Sequence, residues 1–367
     1  MEVSALHNKM TFGRRLRTCV LFFILAATAF GCASETSSSD ASYDFSSGMH
    51  VIMTGTGKGP YTIEGGAGVA VLVDGRLLQF DAGPKTKAHL DELGVLKDYR
   101  IEYLFFTHLH ADHTTDFFDM YAWADRVFGA DLKVFGPRYT RDMTDTAREF
   151  LFASLADEAA IRRHFQLEER DASSDPRIFE VEEIVGDGGV VLDDGVLRVT
   201  AVRTPHAVAE DTGSYAYRLD SRHGSVVISG DTAPSLDVVK LADRADILVH
   251  EASHPDPEMA PEMYAIARHV KLGDDLSRYR EDLPVVHSTP REVGKVAAMA
   301  DVKVLITYHT TYGKDGSLRR EFIEAIKENF EGELVLGRPL LVMPVGVEGG
   351  RVLTNGRSTP DRKGENE

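Results

Sequence analysis

Cysteine is almost absent: the 367-residue chain has two, Cys19 and Cys32, both in its first tenth. Everything after Cys32 is therefore without a disulfide and without a thiolate ligand, so any metal site there must be built from His, Asp and Glu. Basic charge is also short, with 41 Lys and Arg against 58 Asp and Glu and a formal net charge of -17. Residues 1–31 hold Lys9, Arg14, Arg15 and Arg17 against Glu2, so the remainder carries about -20. Such a surface repels phosphate backbones, no Lys/Arg run after the N-terminus offsets it, and no nucleic-acid partner is expected. A nucleotide loop is missing too: Gly55-Thr56-Gly57-Lys58-Gly59 lacks Walker spacing and a following helix, and reads as a turn after a first strand. With 43% hydrophobic residues the chain can nonetheless bury a core.

One apolar run stands out. FGRRLR precedes CVLFFILAATAF and then the small-residue region AFGCASETSSSD, the pattern of an export signal over 1–31. AFGC is similar to a bacterial lipoprotein box with Cys32 as the acylated residue, although Phe30 is an unusual occupant. An uncleaved anchor and a twin-arginine signal at Arg14-Arg15 are the alternatives. The expectation is a periplasmic or outer-membrane protein that meets the membrane only through its signal or lipid.

Residues 32–48 form a Ser/Asp-rich linker, and structure is expected from 49 to 350, with a disordered tail at 351–367. Strands are expected at VIMTGTG, at GVAVLVDGRLLQFDAG with an Asp74-Gly75 hairpin, and at IEYLFF and LKVFGP. Residues 138–180 read as two inserted helices, and 255–283 as a second helical insertion. Between and beyond them come VVLDDGVLRVTAV with its Asp194-Gly195 turn, SYAYRL, SVVISG, DILVHEA and KVLITYH, then a helix and a final pair of strands. Strand pairs come first and strand–helix alternation later, which predicts an α+β protein with two face-to-face sheets covered by helices.

The chemistry concentrates in FFTHLHADHTTD, residues 105–116. His108 and His110, two apart in an extended segment, project to one side, and Asp112 and His113 open a helix beside them. Two imidazoles together suit zinc, and the neighbouring Asp and His suit a second ion. THLHADH resembles the metallo-β-lactamase superfamily, whose fold is a four-layer αβ/βα sandwich, and the further ligands that family needs recur in order. TPHAV offers His206, ISGDTA offers Asp231, ITYHTT offers His309, and QFDAG supplies Asp81 as a supporting carboxylate. The resemblance covers roughly residues 50–345. It implies one metal on His108, His110 and His206, another on Asp112, His113 and His309, and Asp231 bridging them. Two Zn2+ are expected, with Mn2+ or Fe2+ possible. Branches that need a Cys ligand are excluded, and the flavin-linked di-iron branch is disfavoured by His110, which stands where that branch has an acid.

LVHEASH (248–254) and VVHSTPREVGKVA (285–297) resemble the paired segments of the ribonuclease Z-like group, which includes a bacterial arylsulfatase branch. There the acid orients a His that protonates the leaving oxygen, which implies catalytic roles for Glu251 and His287, with Asp112 counted as both ligand and catalytic group. A buried structural Glu–His pair is the alternative.

The expected function is an exported, dinuclear zinc hydrolase of small phosphodiester or sulfate esters. A lactonase or β-lactam hydrolase, a tRNA 3′-processing endonuclease and a non-catalytic zinc lipoprotein are the competing readings, and a homodimer is left open. Phe150, Phe152, Tyr264 and Tyr312 are candidates to line a pocket, with helix packing as their alternative.

Overall fold

The structure is a computed structural model; it describes residues 43–58, 65–125, 132–164, 178–206, 209, 211–253, 286–310 and 318–346. The expected signal, the linker as far as residue 42, the second insertion and the tail lie outside these residues, as do Tyr264 and Tyr312; the end of the expected linker, 43–48, is described and is not free chain, because Phe45 is buried in the core with Leu72, Leu77 and Val342.

The elements in chain order are β1 (Met49–Thr56), β2 (Ala67–Val73), β3 (Arg76–Phe80), α1 (Thr86–Glu92), α2 (Val95–Asp98), β4 (Ile101–Phe105), α3 (Ala111–Thr114), α4 (Phe117–Trp123), β5 (Lys133–Gly136) and α5 (Thr140–His164). They continue with β6 (Glu180–Glu183), β7 (Gly188–Asp193), β8 (Arg198–Arg203), β9 (Tyr215–Ser221), β10 (Gly224–Ile228), α6 (Leu236–Leu241), β11 (Ile247–Ala252), α7 (Pro290–Met299), β12 (Val304–Thr310), α8 (Arg319–Lys327), β13 (Glu333–Leu336) and β14 (Val342–Pro344). Among the described residues they form two seven-stranded sheets, ordered β14-β1-β2-β3-β4-β5-β6 and β13-β12-β11-β10-β9-β8-β7.

Strand alternation divides the apolar residues between layers. In β2, Val69, Val71 and Val73 face the space between the sheets, where Met53, Phe80 and Phe105 meet Val199, Tyr217, Val249 and Tyr308. Ala70 and Leu72 face outward instead, onto Leu90, Val95, Phe117 and Tyr121 of the helices. The other sheet does the same: Val227, Leu248 and Leu305 pack against Val238, Val293, Val296 and Phe322 of α6, α7 and α8. The predicted four-layer αβ/βα sandwich is the observed fold.

Each sheet joins antiparallel hairpins to a parallel run, β3-β4-β5-β6 in one and β10-β11-β12-β13 in the other. Parallel strands all end on one edge, and ligand sites in such sheets gather beyond those carboxyl ends. Asp81, His108, Asp231, Glu251 and His309 each sit at or just past such an end. Beneath them Phe80, Phe105 and Phe135 stack at 4.9 and 4.7 Å, and Tyr217 of the facing sheet donates its hydroxyl to Phe106 O at 2.7 Å. Each stacked pair adds about 0.5–1.5 kcal/mol beyond its area burial.

Three expectations change. Residues 140–164 are one helix, and no Gly or Pro interrupts them; Glu180, the last residue assigned to the helical insertion, instead opens an edge strand, Glu180–Glu183, on β5. The last two strands do not pair with each other, since β13 joins β12 and β14 joins β1. Phe150 and Phe152 are exposed, Phe150 meeting Phe118 edge-on, so neither packs into the core.

Candidate metal centre

The β4 strand delivers His108 and His110 in extended chain, and α3 begins at once with Asp112 and His113. His206 follows β8, Asp231 follows β10 and His309 lies in β12. Side chains that span two hundred residues of sequence thus meet at one edge of the sandwich.

The donor atoms form two separate groups, and a third, Asp231, His287 and His309, overlaps both. His108, His110, His206 and Asp231 make one, and Asp112, His113 and His309 the other, each with atoms within 4.8 Å of one another. His110 Nδ1 lies 2.9 Å from His108 Nε2 and 3.4 Å from His206 Nε2, and Asp231 Oδ2 stands 3.7 Å from His108 Nε2 and 4.0 Å from His206 Nε2. Asp231 Oδ1 turns to the second group, 3.4 Å from His113 Nε2, while His309 Nε2 is 3.1 Å from Asp112 Oδ2. A tetrahedral zinc with arms near 2.1 Å spaces its donors about 3.4 Å apart, and these separations bracket that spacing.

Two observations test the fit. His113 Nε2 and Asp231 Oδ1 are buried and make no hydrogen bond, although groups in such surroundings are nearly always satisfied. Burial disfavours charge on His113, yet the carboxylates of Asp231 and Asp81 outweigh it and push its pKa well above the ordinary value. The pocket favours a cation. Burial meanwhile pulls His108 well below its usual range and His206 down to about 4, so both rings are neutral at pH 7, the form that binds metal. Two clustered His/Asp sites of this kind fit a dinuclear, zinc-type centre.

The far sides of the rings are held in place. Asp81, its own carboxyl raised by burial, accepts His113 Nδ1–H at 2.8 Å together with the amide and hydroxyl of Thr107 at 2.7 and 2.9 Å. Having spent its proton on Asp81, the Thr107 hydroxyl accepts from His108 Nδ1 at 3.1 Å, and His206 Nδ1 donates to Val286 O at 2.7 Å. Each bond fixes the tautomer that leaves Nε2 free. Thr107 and the Val286 carbonyl were not foreseen; a backbone carbonyl leaves no trace in residue identity.

Glu251 and His287 come together as expected. Glu251 Oε1 accepts from His287 Nδ1 at 3.1 Å, Ser288 N at 3.1 Å and Thr232 N at 3.2 Å, and Oε2 accepts from Ser253 N at 2.7 Å. Burial alone would raise Glu251, but the His287 ring brings it down to about 2, and Glu251 with Asp231 raises His287 against its own burial. The His287 ring lies 5.2 Å from that of His206 and 5.6 Å from that of His309, so it faces both donor groups. The α7 helix does not need Glu251 as its cap: Thr289 and Glu292 form a reciprocal capping box there, with Pro290 in the first turn.

Sandwich, strand-end position and paired donor clusters define a metal-dependent hydrolase. Residues 76–310 match the Beta-lactamase superfamily domain, and the chain belongs to that superfamily. It is 26% identical over 267 residues to "Ribonuclease Z" of Mycolicibacterium gilvum, covering 71% of this chain and 84% of that one. It is 24% identical to "Ribonuclease Z" of Haloarcula marismortui, over 78% of this chain and 94% of that one. Among solved structures, the short form of human tRNase Z superposes with a TM-score of 0.54 at 20% identity, covering 81% of this chain and 100% of that one. Zn(2+)-bound PqqB from Methylobacterium extorquens gives 0.52 at 14% identity, over 80% and 99%. The chain is a dinuclear-metal hydrolase of the lactamase and ribonuclease Z branch.

These relatives correct one expectation. From the acidic composition no nucleic-acid partner was expected, yet the curated relatives are named as ribonucleases, which makes an RNA substrate plausible. Net charge sums over the whole surface and governs solubility and non-specific binding, not the local field at the mouth of a metal centre. Among the described residues no helix is long and apolar enough to cross a membrane.

Proposed function

We propose that this protein is a zinc-dependent phosphodiesterase, RNA phosphodiesters included among its substrates, with His287 as general acid; sulfate esters are the neighbouring class. His108, His110 and His206 would hold one ion and Asp112, His113 and His309 the other, with Asp231 shared between them. When bound, two zinc ions supply Lewis acidity and a water acidic enough to attack at neutral pH.

The chain's own contribution is positioning and proton transfer. Glu251 holds His287 Nδ1–H, so the proton left for transfer is the one on Nε2, on a ring that lies 5.2 Å from the His206 ring and 5.6 Å from the His309 ring. From there Nε2–H can protonate the oxygen that leaves phosphorus, and Glu251 favours the charged ring that this requires. The Glu251-held His287 beside both donor clusters carries this reading. Opening a lactone or a β-lactam makes no such demand on that pair.

The test is a leaving-group series on zinc-loaded protein. His287→Ala is expected to lower kcat for phosphodiesters with alkoxide leaving groups by about 10²–10⁴ and for those that release nitrophenolate far less, with zinc content unchanged. Equal losses for both would remove His287 as the acid. A panel of bis-nitrophenyl phosphate, nitrophenyl sulfate, tRNA with a 3′ extension, an acyl-homoserine lactone and nitrocefin should show phosphodiester turnover; activity on the last two alone would overturn the assignment.

The run FGRRLR followed by CVLFFILAATAF supports export, with residues 1–31 as signal, Cys32 as a lipidated first residue, a linker that ends before Tyr43, a catalytic domain to 350 and 351–367 as a tail. Mass spectrometry of the mature N-terminus should find acylated Cys32; an intact Met1 would refute it.

A further inference from the structure

Ser253 stands immediately after β11, buried to 1% exposure, and its hydroxyl meets the same residue twice. Oγ lies 2.6 Å from His309 O and within hydrogen-bond distance of His309 Nδ1. A hydroxyl has one proton to give. The carbonyl can only accept, so the proton goes to His309 O, and Oγ must accept the Nδ1–H. His309 is then locked in the tautomer whose Nε2 carries a lone pair, and Nε2 is the atom 3.1 Å from Asp112 Oδ2.

The backbone needs this support. His309 has φ 50, a left-handed conformation that non-glycine residues rarely adopt. Between β11 and β12 the register runs Glu251↔Tyr308 and then Ala252↔Thr310, so His309 is the unpaired residue of a bulge. Bulges re-aim side chains next to functional sites, and one hydroxyl here holds both the turned carbonyl and the re-aimed ring. Ser253 is itself anchored by Glu251 Oε2 on its amide at 2.7 Å and by Lys58 Nζ on its carbonyl at 3.5 Å. Its place is thus set by groups other than the donors of the metal centre.

We propose that Ser253 is the positioning residue for His309, fixing the ring's tautomer and rotation so that the ion on the Asp112–His113–His309 side is held. The proposal rests on the reading of His309 as a ligand, and the experiment separates the two.

The full-length protein is titrated with chelator-buffered zinc, and ions per chain are read by elemental analysis. Ser253→Ala should retain one ion at wild-type affinity and weaken the other about 10–100-fold, the usual effect of removing a partner that orients a ligand. Ser253→Gly should match it, and Ser253→Thr, which keeps the hydroxyl, should restore both affinities. His309→Ala is the control and should lose the same ion. Wild-type affinities in Ser253→Ala beside a lost ion in His309→Ala would overturn the positioning role alone. Two ions retained in His309→Ala would overturn the ligand reading beneath it. Ser253→Thr as weak as Ser253→Ala would overturn the hydroxyl argument. A lower metal-free melting temperature with both dissociation constants unchanged would assign Ser253 to the fold only and reject the proposal.

Discussion

Replacing Glu251 by Gln changes one atom and strains a whole junction. The carboxylate is fully buried and faces four donors, three of them on Oε1 and Ser253 N–H on Oε2. Gln supplies one oxygen and one NH2. Its better orientation keeps the oxygen toward His287, Ser288 and Thr232 and turns the NH2 against Ser253 N–H. Two buried donors, Ser253 N–H and the new NH2, then face each other without an acceptor, at about 1–3 kcal/mol each, and three charge-assisted bonds become neutral ones worth roughly half as much. A neutral amide is cheaper to bury than a carboxylate, which offsets part of this, and the net expected loss is about 2–4 kcal/mol. Urea unfolding of the metal-free protein measures it. The same change should lower kcat for poor leaving groups as His287→Ala does, and the double variant should lose little more, because two members of one unit are not additive. Stability within about 0.5 kcal/mol of wild type, with unchanged kcat, would refute both the hydrogen-bond reasoning and the coupling to His287.

Other perturbations probe the frame around the centre. A Cβ at Gly83 would lie 2.1 Å from Asp112 O and 2.6 Å from Ala67 N, both backbone atoms that cannot swing aside. Gly83→Ala should therefore cost about 3 kcal/mol or more in urea unfolding and loosen α3, which carries Asp112. Asp81→Ala removes the acceptor of His113 Nδ1 and should weaken one zinc about 10–100-fold in a buffered-zinc titration, leaving the other in place. Away from the site, Asp246 accepts Ser225 N at 2.8 Å and Lys303 Nζ at 2.6 Å; burial works against ionisation, but these partners hold its pKa below the ordinary value. Its stabilisation is present above the unfolded pKa and lost as pH falls through the lowered one. Asp246→Asn should thus cost about 1 kcal/mol at pH 7, and the gap should close toward pH 3 in metal-free protein.

The donor cluster was legible because its chemistry is local or positional. His108 to His113 share six residues, and His206, Asp231 and His309 fall at strand ends that apolar runs announce. What holds those side chains was harder to read. Ser253 is one serine among many, the Val286 contribution is a carbonyl, and the bulge that re-aims His309 exists only once β11 and β12 are paired. Non-local pairing hid parts of the fold as well. EVEE of β6 looks like a charged helix surface until Lys133 of β5 meets Glu180 and Glu182 at 2.9 and 3.2 Å along a sheet edge. The last strands look like a hairpin, but Gly337 N binds Thr307 O while Leu340 N binds Met53 O, so the chain crosses from one sheet to the other between them.

The central claim is that two donor groups sharing Asp231 hold two metal ions. Zinc per chain, measured on reconstituted wild type and on His206→Ala and His113→Ala, tests it directly. Two ions in the wild type and one in each variant, each retaining the ion its partner variant loses, is the predicted result. A wild type that binds a single ion, or variants that both keep two, would contradict the assignment.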